Sequence, residues 1–287
     1  MLKIFNKLLS ILPFKRFRNP KPVVSIVRLN GIIGGMGGIR KGLTIADLAP
    51  VLDKAFSLNN LSAVALVINS PGGSPVQSAL IAERIRSLAK KNNIEVWAFC
   101  EDVAASGGYW LALSADHIYA LNTSILGSIG VVSGGFGFSE AIKKIGIERR
   151  LYTAGTKKAI LDPFLPEKES EVKHLKAIQS DIYEEFKTEV KSRRNTKLKG
   201  KEPELFSGAF WTGRRAIEMG LIDGIGDLYS VMNEHFNERL KLKEIAPRKS
   251  FFRDVFKVHS IENHEVTLIN GILGAIENRL MWNKFGL

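Results

Sequence analysis

Residues 63–74 read AVALVINSPGGS, a continuous apolar run that ends in a glycine-bearing turn. The first part, Ala63–Ser70, is typical of a β-strand that is covered on both faces, as in a parallel sheet. Pro75–Lys91 then has the apolar spacing of an amphipathic helix, and EVWAFC, Glu95–Cys100, is a second buried strand. A strand, a helix and another strand in this order predict an α/β unit.

The same alternation continues on both sides of this unit. VVSIVRLNG, Val23–Gly31, predicts a strand before it, and Thr44 begins a helical pattern that reaches Phe56. The later predicted elements are strands at His117–Leu121 and Glu148–Ala154 and helices at Ser106–Ala115, Ser139–Ile145, Glu167–Arg194, Thr212–Met219 and Asp227–Leu240. The sequence therefore predicts an α/β fold with a largely parallel buried sheet flanked by helices.

Three parts of the chain differ in composition. We predict a basic amphipathic segment at 1–22, the enzyme domain at 23–240, and a basic and aromatic tail at 241–287. Residues 1–14 place their apolar side chains at helical spacing, but the run is shorter than the ~20 residues of a membrane span. No small-residue cleavage site follows, as a secretion signal would require. A short helix on an anionic membrane and a helix packed on the domain are both compatible with this segment.

The charge balance and the cysteine count exclude several classes of protein. The net charge is +12, and half of it lies in residues 1–22, which contain six basic residues and no acid. The rest of the chain up to residue 240 is nearly balanced, which argues against a nucleic-acid groove. Cys100 is the single cysteine, so neither an internal disulfide nor a cysteine-based zinc cluster can form.

Three glycine-bearing motifs lie at or near predicted strand ends, where α/β sheets usually bind ligands. They are NSPGGS (Asn69–Ser74), ASGGYW (Ala105–Trp110) and GSIGVV (Gly127–Val132). Neither the G-x-x-x-x-G-K-[ST] phosphate loop nor a G-x-G-x-x-G dinucleotide motif is present. We therefore predict no metal and no cofactor, and chemistry by the side chains themselves.

Ser106 is the candidate nucleophile because it follows a buried strand and begins a predicted helix. Gly107 and Gly108 let a substrate approach the backbone closely. The amides of Gly73 and Gly107 would together form an oxyanion hole for a developing negative charge. On local sequence alone, a simple N-cap serine is the better explanation of Ser106.

A serine nucleophile needs a base, and none of the five histidines is placed convincingly. Lys157 and Lys158 follow a turn at Gly155 and precede an apolar stretch. A lysine that is desolvated there would lose its proton and act as a base. On local sequence alone, two lysines on a solvated loop are the better explanation.

Taken together, the motifs resemble the signal peptide peptidase A (protease IV) family. NSPGGS, VAASGGYW, TSILGSIGVVS and a G-x-x-K turn followed by DPF occur in that order between about Val23 and Leu240. The resemblance implies the crotonase-like fold shared with the Clp protease. It also implies a Ser–Lys dyad.

The resemblance assigns a role to each candidate residue. Ser106 matches the nucleophile, and Lys158 matches the base, although Lys157 stands where an aromatic residue is common in the family. Ser128 matches the serine that orients the lysine. Gly73 and Gly107 match the oxyanion-hole amides.

The implied activity is hydrolysis of peptide bonds in hydrophobic peptides, such as remnant signal peptides or membrane-protein segments. Two alternatives stay open: an acyl-CoA hydratase or isomerase using Glu101 and Asp102, and a membrane-surface scaffold without activity. We expect a homo-oligomer with a shielded chamber and no nucleic-acid partner. The basic segment 1–22 favours a peripheral site on an anionic membrane, on the cytoplasmic face of the bacterial membrane or free in the cytoplasm. The charged helix Glu167–Arg194 is expected on a solvated or subunit surface.

Overall fold

The computed structural model describes residues 21–35, 42–246 and 279–287. Within these residues the strands are β1 (Val23–Asn30), β2 (Leu61–Ser70), β3 (Glu95–Ala105), β4 (His117–Ala120), β5 (Ile125–Gly127), β6 (Phe210–Thr212), β7 (Gly224–Ile225) and β8 (Lys241–Glu244). The helices are α1 (Ile45–Phe56), α2 (Pro75–Asn92), α3 (Gly107–Leu113), α4 (Ser139–Lys144), α5 (Glu169–Arg194), α6 (Glu202–Leu205), α7 (Gly213–Glu218) and α8 (Leu228–His235).

All eight strands belong to one sheet, in which β3 has two neighbours along one edge. The main order is β6-β5-β3-β2-β1-β8, and β4 pairs with both β3 and β7. β4 lies beside the first half of β3, at Trp97–Cys100, whereas β5 lies beside its last residues, Val103–Ala105. Only the β5–β6 pair is antiparallel. The predicted α/β fold with a largely parallel buried sheet flanked by helices is confirmed.

Successive side chains of the central strands point to opposite faces of the sheet, and different helices pack on the two faces. In β1, Val27 and Leu29 join the larger core cluster, which also contains buried side chains of α1, α2, α3 and α5. Ile26 points to the other face, where Met232 of α8 packs with aromatic side chains of β3. Because both faces are covered, the middle of β2, Ala63–Ile68, is a continuous apolar run without an alternating pattern.

Several elements differ from the sequence prediction. The helix predicted at Asp227–Leu240 already ends at His235. The sheet extends past Leu240, where we ended the enzyme domain, because residues 241–244 pair with β1 as β8. The strand predicted at Glu148–Ala154 is wrong, because this segment is irregular and no strand lies beside it. It belongs to a long connection, residues 131–168, that we name the arm; none of its residues is buried.

The predicted membrane segment at the N-terminus lies mostly outside the described residues. Among the residues that the structure does describe, no helix has both the length and the apolar character needed to cross a bilayer.

Candidate active site

Ser106 occupies a tight turn between β3 and α3. Its φ of 52° and ψ of −122° lie outside the regions that residues with a Cβ normally adopt. The Ser106 amide donates to the Gly127 carbonyl at 2.8 Å, and the Ser106 carbonyl accepts from the Trp110 amide at 3.0 Å. Its hydroxyl makes no capping hydrogen bond. Ser106 is half-buried and its hydroxyl makes no hydrogen bond within the described residues, so the simple N-cap explanation does not hold.

The NSPGGS loop lies directly against this turn. A Cβ on Gly72 would come within 2.8 Å of the Ser106 Cβ and 2.9 Å of the Gly107 nitrogen. A Cβ on Gly73, whose φ is 144°, would lie 2.1 Å from the Ile33 carbonyl oxygen. Both glycines are therefore required by close backbone contact as well as by their positive φ.

Two backbone amides of this junction are free to bind a substrate oxygen. Within the described residues, neither the Gly73 amide nor the Gly107 amide donates a hydrogen bond. The two are neighbours, because a Cβ on Gly107 would lie 3.4 Å from the Gly73 nitrogen. Paired donors of this kind stabilise the oxyanion of acyl transfer. The structure thus brings Gly73 and Gly107 together beside Ser106.

Buried serines hold the loop in place, and the sequence analysis missed them. The Ser70 hydroxyl accepts from the Gly72 amide at 3.2 Å, and the Ser78 hydroxyl donates to the Ser74 carbonyl at 2.9 Å. Both Ser70 and Ser78 are fully buried. The available signal was a serine on the apolar face of the amphipathic helix, four residues after Ser74.

Ser128 lies beside Ser106, at the end of the adjacent strand β5. Gly127, the last residue of β5, is the acceptor of the Ser106 amide, and Ser128 follows with a φ of 52°. The Ser128 amide donates to the Ala209 carbonyl at 2.7 Å, which ties it to the chain entering β6. Ser106 and Ser128 therefore follow the ends of two neighbouring strands.

Lys158 is not brought to this site in the single chain. Its side chain is exposed on the arm, as is that of Lys157, so the desolvated lysine expected from the sequence is not found. In the described residues, no hydrogen bond joins Lys158 to Ser106 or Ser128. The reason is that the arm makes mostly local contacts, such as the ion pair between Arg149 and Asp162 at 2.9 Å.

The other candidate groups are occupied or distant. Glu101 pairs with Arg28 at 3.2 Å, and Asp102 accepts from the Asn69 amide group at 2.7 Å. His117 lies beside Trp97 at the far end of β3, and Trp97 is nine residues from Ser106, which corresponds to roughly 30 Å of strand. Burial raises the pKa of the Cys100 thiol to about 12, so it stays protonated and unreactive.

Comparison with known proteins identifies relatives of this architecture. The sequence model of peptidase family S49 matches residues 88–242. A putative protease of Synechocystis is 33% identical over 219 residues, which are 75% of this chain and 73% of the relative. A putative signal peptide peptidase SppA of Enterococcus faecium is 34% identical over 163 residues, or 57% of this chain and 47% of the relative.

A longer relative carries a different name. A protein of Brucella melitensis named Na(+)/H(+) antiporter NhaA is 46% identical over 281 residues, which are 95% of this chain and 38% of that protein. The chain thus spans well under half of that relative. The name, which refers to ion transport, belongs to the longer protein as a whole.

Proposed function

The chain belongs to peptidase family S49, and on that premise we propose that it is a serine endopeptidase of the signal peptide peptidase A type, with Ser106 as nucleophile and Lys158 as base. The observation that carries the proposal is the strained Ser106 turn with its free hydroxyl beside the unpaired amides of Gly73 and Gly107. A hydroxyl and two converging donors are what acyl transfer needs.

The proposed reaction has two halves. The Ser106 hydroxyl attacks the peptide carbonyl while neutral Lys158 takes its proton, and the amides of Gly73 and Gly107 hold the oxyanion. The lysine then gives a proton to the leaving amine, and water releases the acyl group from Ser106. Ser128 would orient the lysine amine between the two steps.

For this reaction to run, the Lys158 amine must lie next to the Ser106 hydroxyl and be shielded from solvent. We propose that a second copy of the chain covers the arm, because a lysine surrounded by solvent keeps its proton at neutral pH. Large apolar side chains exposed along the arm support this assembly, among them Val132, Phe136, Ile145 and Tyr152.

Hydrophobic peptides are the proposed substrates. Val76 and Leu80 lie one turn apart at the start of α2, directly after the NSPGGS loop, and are 65% and 45% exposed. Exposed apolar side chains next to the oxyanion amides would bind apolar residues of a peptide. The basic segment at 1–22 supports a membrane-surface location, where such peptides arise.

The first experiment compares hydrolysis of signal-peptide-like substrates and unfolded casein by the wild type and three variants. We expect Ser106→Ala and Lys158→Ala to lose activity by about 10²-fold or more, the usual contribution of a nucleophile or its base. Lys157→Ala is the matched control and should cleave normally.

Equal rates in all four proteins would overturn the proposal. They would leave either a contaminating protease or the scaffold alternative, in which the fold serves only to hold partners at a membrane.

A further inference from the structure

The last residues of the chain pack against the strands that lead to the two candidate serines. Phe285 is only 7% exposed and forms a small core cluster with Val103 and Ala105 of β3, which Ile125 and Trp282 complete. The Phe285 ring also meets Phe210 of β6 edge-on, with 5.1 Å between centroids. One side chain thus spans three neighbouring strands.

The strand register explains why this contact lies beneath the site. Val103 pairs with Ile125, Ala105 pairs with Gly127, and Gly127 pairs with Phe210, so all of these residues share one face. The next residue along β3 is Ser106, and the next along β5 is Ser128. Phe285 therefore packs against Ala105, one residue before Ser106 on β3, and against Ile125, three residues before Ser128 on β5.

The two serine turns depend on the same three strands for their hydrogen bonds. The Ser106 amide donates to Gly127 of β5, and the Ser128 amide donates to Ala209, just before β6. Both serines have positive φ. A strained turn persists only when its surroundings fix it, and here the strands underneath do so.

We propose that Phe285 is a positioning residue for Ser106. It clamps the ends of β3, β5 and β6 together so that the Ser106 turn keeps its strained conformation and aims its hydroxyl at the oxyanion amides. This inference rests on the proposed peptidase function only for its kinetic consequence. The clamp itself is a property of the fold.

The test compares Phe285→Ala, Phe285→Leu and the control Leu280→Ala, whose side chain lies in the same terminal segment but is 57% exposed. Three quantities are measured on the full chain: hydrogen exchange at the Ser106 and Ser128 amides, the rate of Ser106 labelling by a fluorophosphonate, and kcat and KM for one peptide. Circular dichroism spectra show which variants are folded, and only those are compared.

For Phe285→Ala we expect both amides to exchange at least tenfold faster, with labelling and kcat about tenfold slower. KM should stay within about twofold. Phe285→Leu should restore most of the loss, and Leu280→Ala should match the wild type. If Phe285→Ala does not fold, Phe285→Leu and Phe285→Val replace it. Exchange at the Ser106 and Ser128 amides should then be faster in the variant with the smaller side chain, Phe285→Val.

Wild-type exchange and labelling rates in Phe285→Ala would overturn the proposal. Faster labelling would also overturn it, because Phe285 would then act as a cover over the site. Failure of the peptidase function looks different: the wild type is then neither labelled nor active, and the exchange rates alone decide on the clamp.

Discussion

Ser106 is held in a backbone conformation that is unfavourable for any residue with a Cβ. Sparsely populated conformations of this kind typically cost about 1–3 kcal/mol, and the hydrogen bonds of the Ser106 amide and carbonyl to its neighbours oppose relaxation. The strain lies beside the amides of Gly73 and Gly107, which donate no hydrogen bond within the described residues. If Ser106 is the proposed nucleophile, the turn gives up stability to position its hydroxyl.

Replacing Ser106 by glycine and by alanine should separate the strain from the chemistry. Both variants lack the nucleophile and should be inactive, but Ser106→Gly should be more stable than Ser106→Ala by about 1 kcal/mol, because glycine accepts positive φ. Urea unfolding of the two proteins measures this difference.

Ser192 of the long helix α5 is the matched control for this comparison. There the order should reverse, with Ser192→Gly less stable than Ser192→Ala by about 1 kcal/mol. The same order at both positions would show that the Ser106 turn is not strained.

The residues of the site differ in how far the sequence could predict them. Ser106, Ser128 and the oxyanion glycines lie at ends of neighbouring strands, so motif and strand order suffice to bring them together. The position of Lys158 depends on what covers the arm, which no pattern within one chain encodes. Phe285 contacts Phe210 of β6, about 75 residues away in sequence, and Val103 of β3, about 180 residues away, and such contacts have no local signal.

At the scale of elements, helix α5 packs against α3, the helix that begins directly after Ser106. Phe186 of α5 stacks on Trp110 of α3 with 4.7 Å between ring centroids, and Arg193 donates to the Leu113 and Ala115 carbonyls at the end of α3. The mixed charge of α5 predicted a surface helix, and most of its residues are indeed accessible. The buried side of α5 was not apparent from the sequence, because only Phe186, Val190 and Arg194 form it.

The end of α5 is anchored by a carboxylate on the loop before β7. Asp223 accepts from Arg194 and Lys197, each at 2.8 Å, and from the Ile118 amide of β4. Burial alone would raise the pKa of Asp223, but the hydrogen bonds from Arg194 and Lys197 outweigh it and hold the pKa below its ordinary value. The ionised carboxylate thus links α5 to the sheet.

Asp223→Asn should destabilise the fold by about 3 kcal/mol at neutral pH, because it leaves the 2%-exposed Arg194 without its counter-charge. Because the folded-state pKa is depressed, the stabilisation is complete above the unfolded value of about 4. It is lost as the pH falls through the folded pKa. The gap between variant and wild type should therefore shrink below pH about 4 in urea unfolding.

Asp181 of α5 supplies the control, since its side chain is exposed. Asp181→Asn should change stability by about 0.5 kcal/mol or less. A loss for Asp223→Asn no larger than this, or one that stays constant with pH, would contradict the anchoring role.

At the scale of the whole molecule, the chain combines a well-packed sheet with an arm that lacks a core. Residues 131–168 leave large apolar side chains in solvent, of which Tyr152 is 91% and Val132 87% exposed. Contiguous exposed apolar surface marks an interaction site. The arm also carries Lys158, so covering it would change the environment of the proposed base.

We expect the protein to assemble, with a mass that is a multiple of 31.8 kDa by size exclusion with light scattering. Phe136→Glu with Tyr152→Glu should release folded single chains and abolish peptide hydrolysis, because the arm would stay solvated. Tyr229→Glu, at a 57%-exposed position on α8, is the control and should leave assembly intact.

A wild type that runs only at the mass of one chain at working concentration would refute this assembly. So would a dissociated double variant that keeps full activity.

The buried thiol of Cys100 makes the chain convenient for spectroscopy. It is the single cysteine, only 4% exposed, and its raised pKa keeps it protonated at neutral pH. Maleimide dyes should therefore not react with the native protein. A cysteine introduced on the arm could then be labelled selectively, with Cys100 left in place. A fluorophore attached there would report any movement of the arm during turnover.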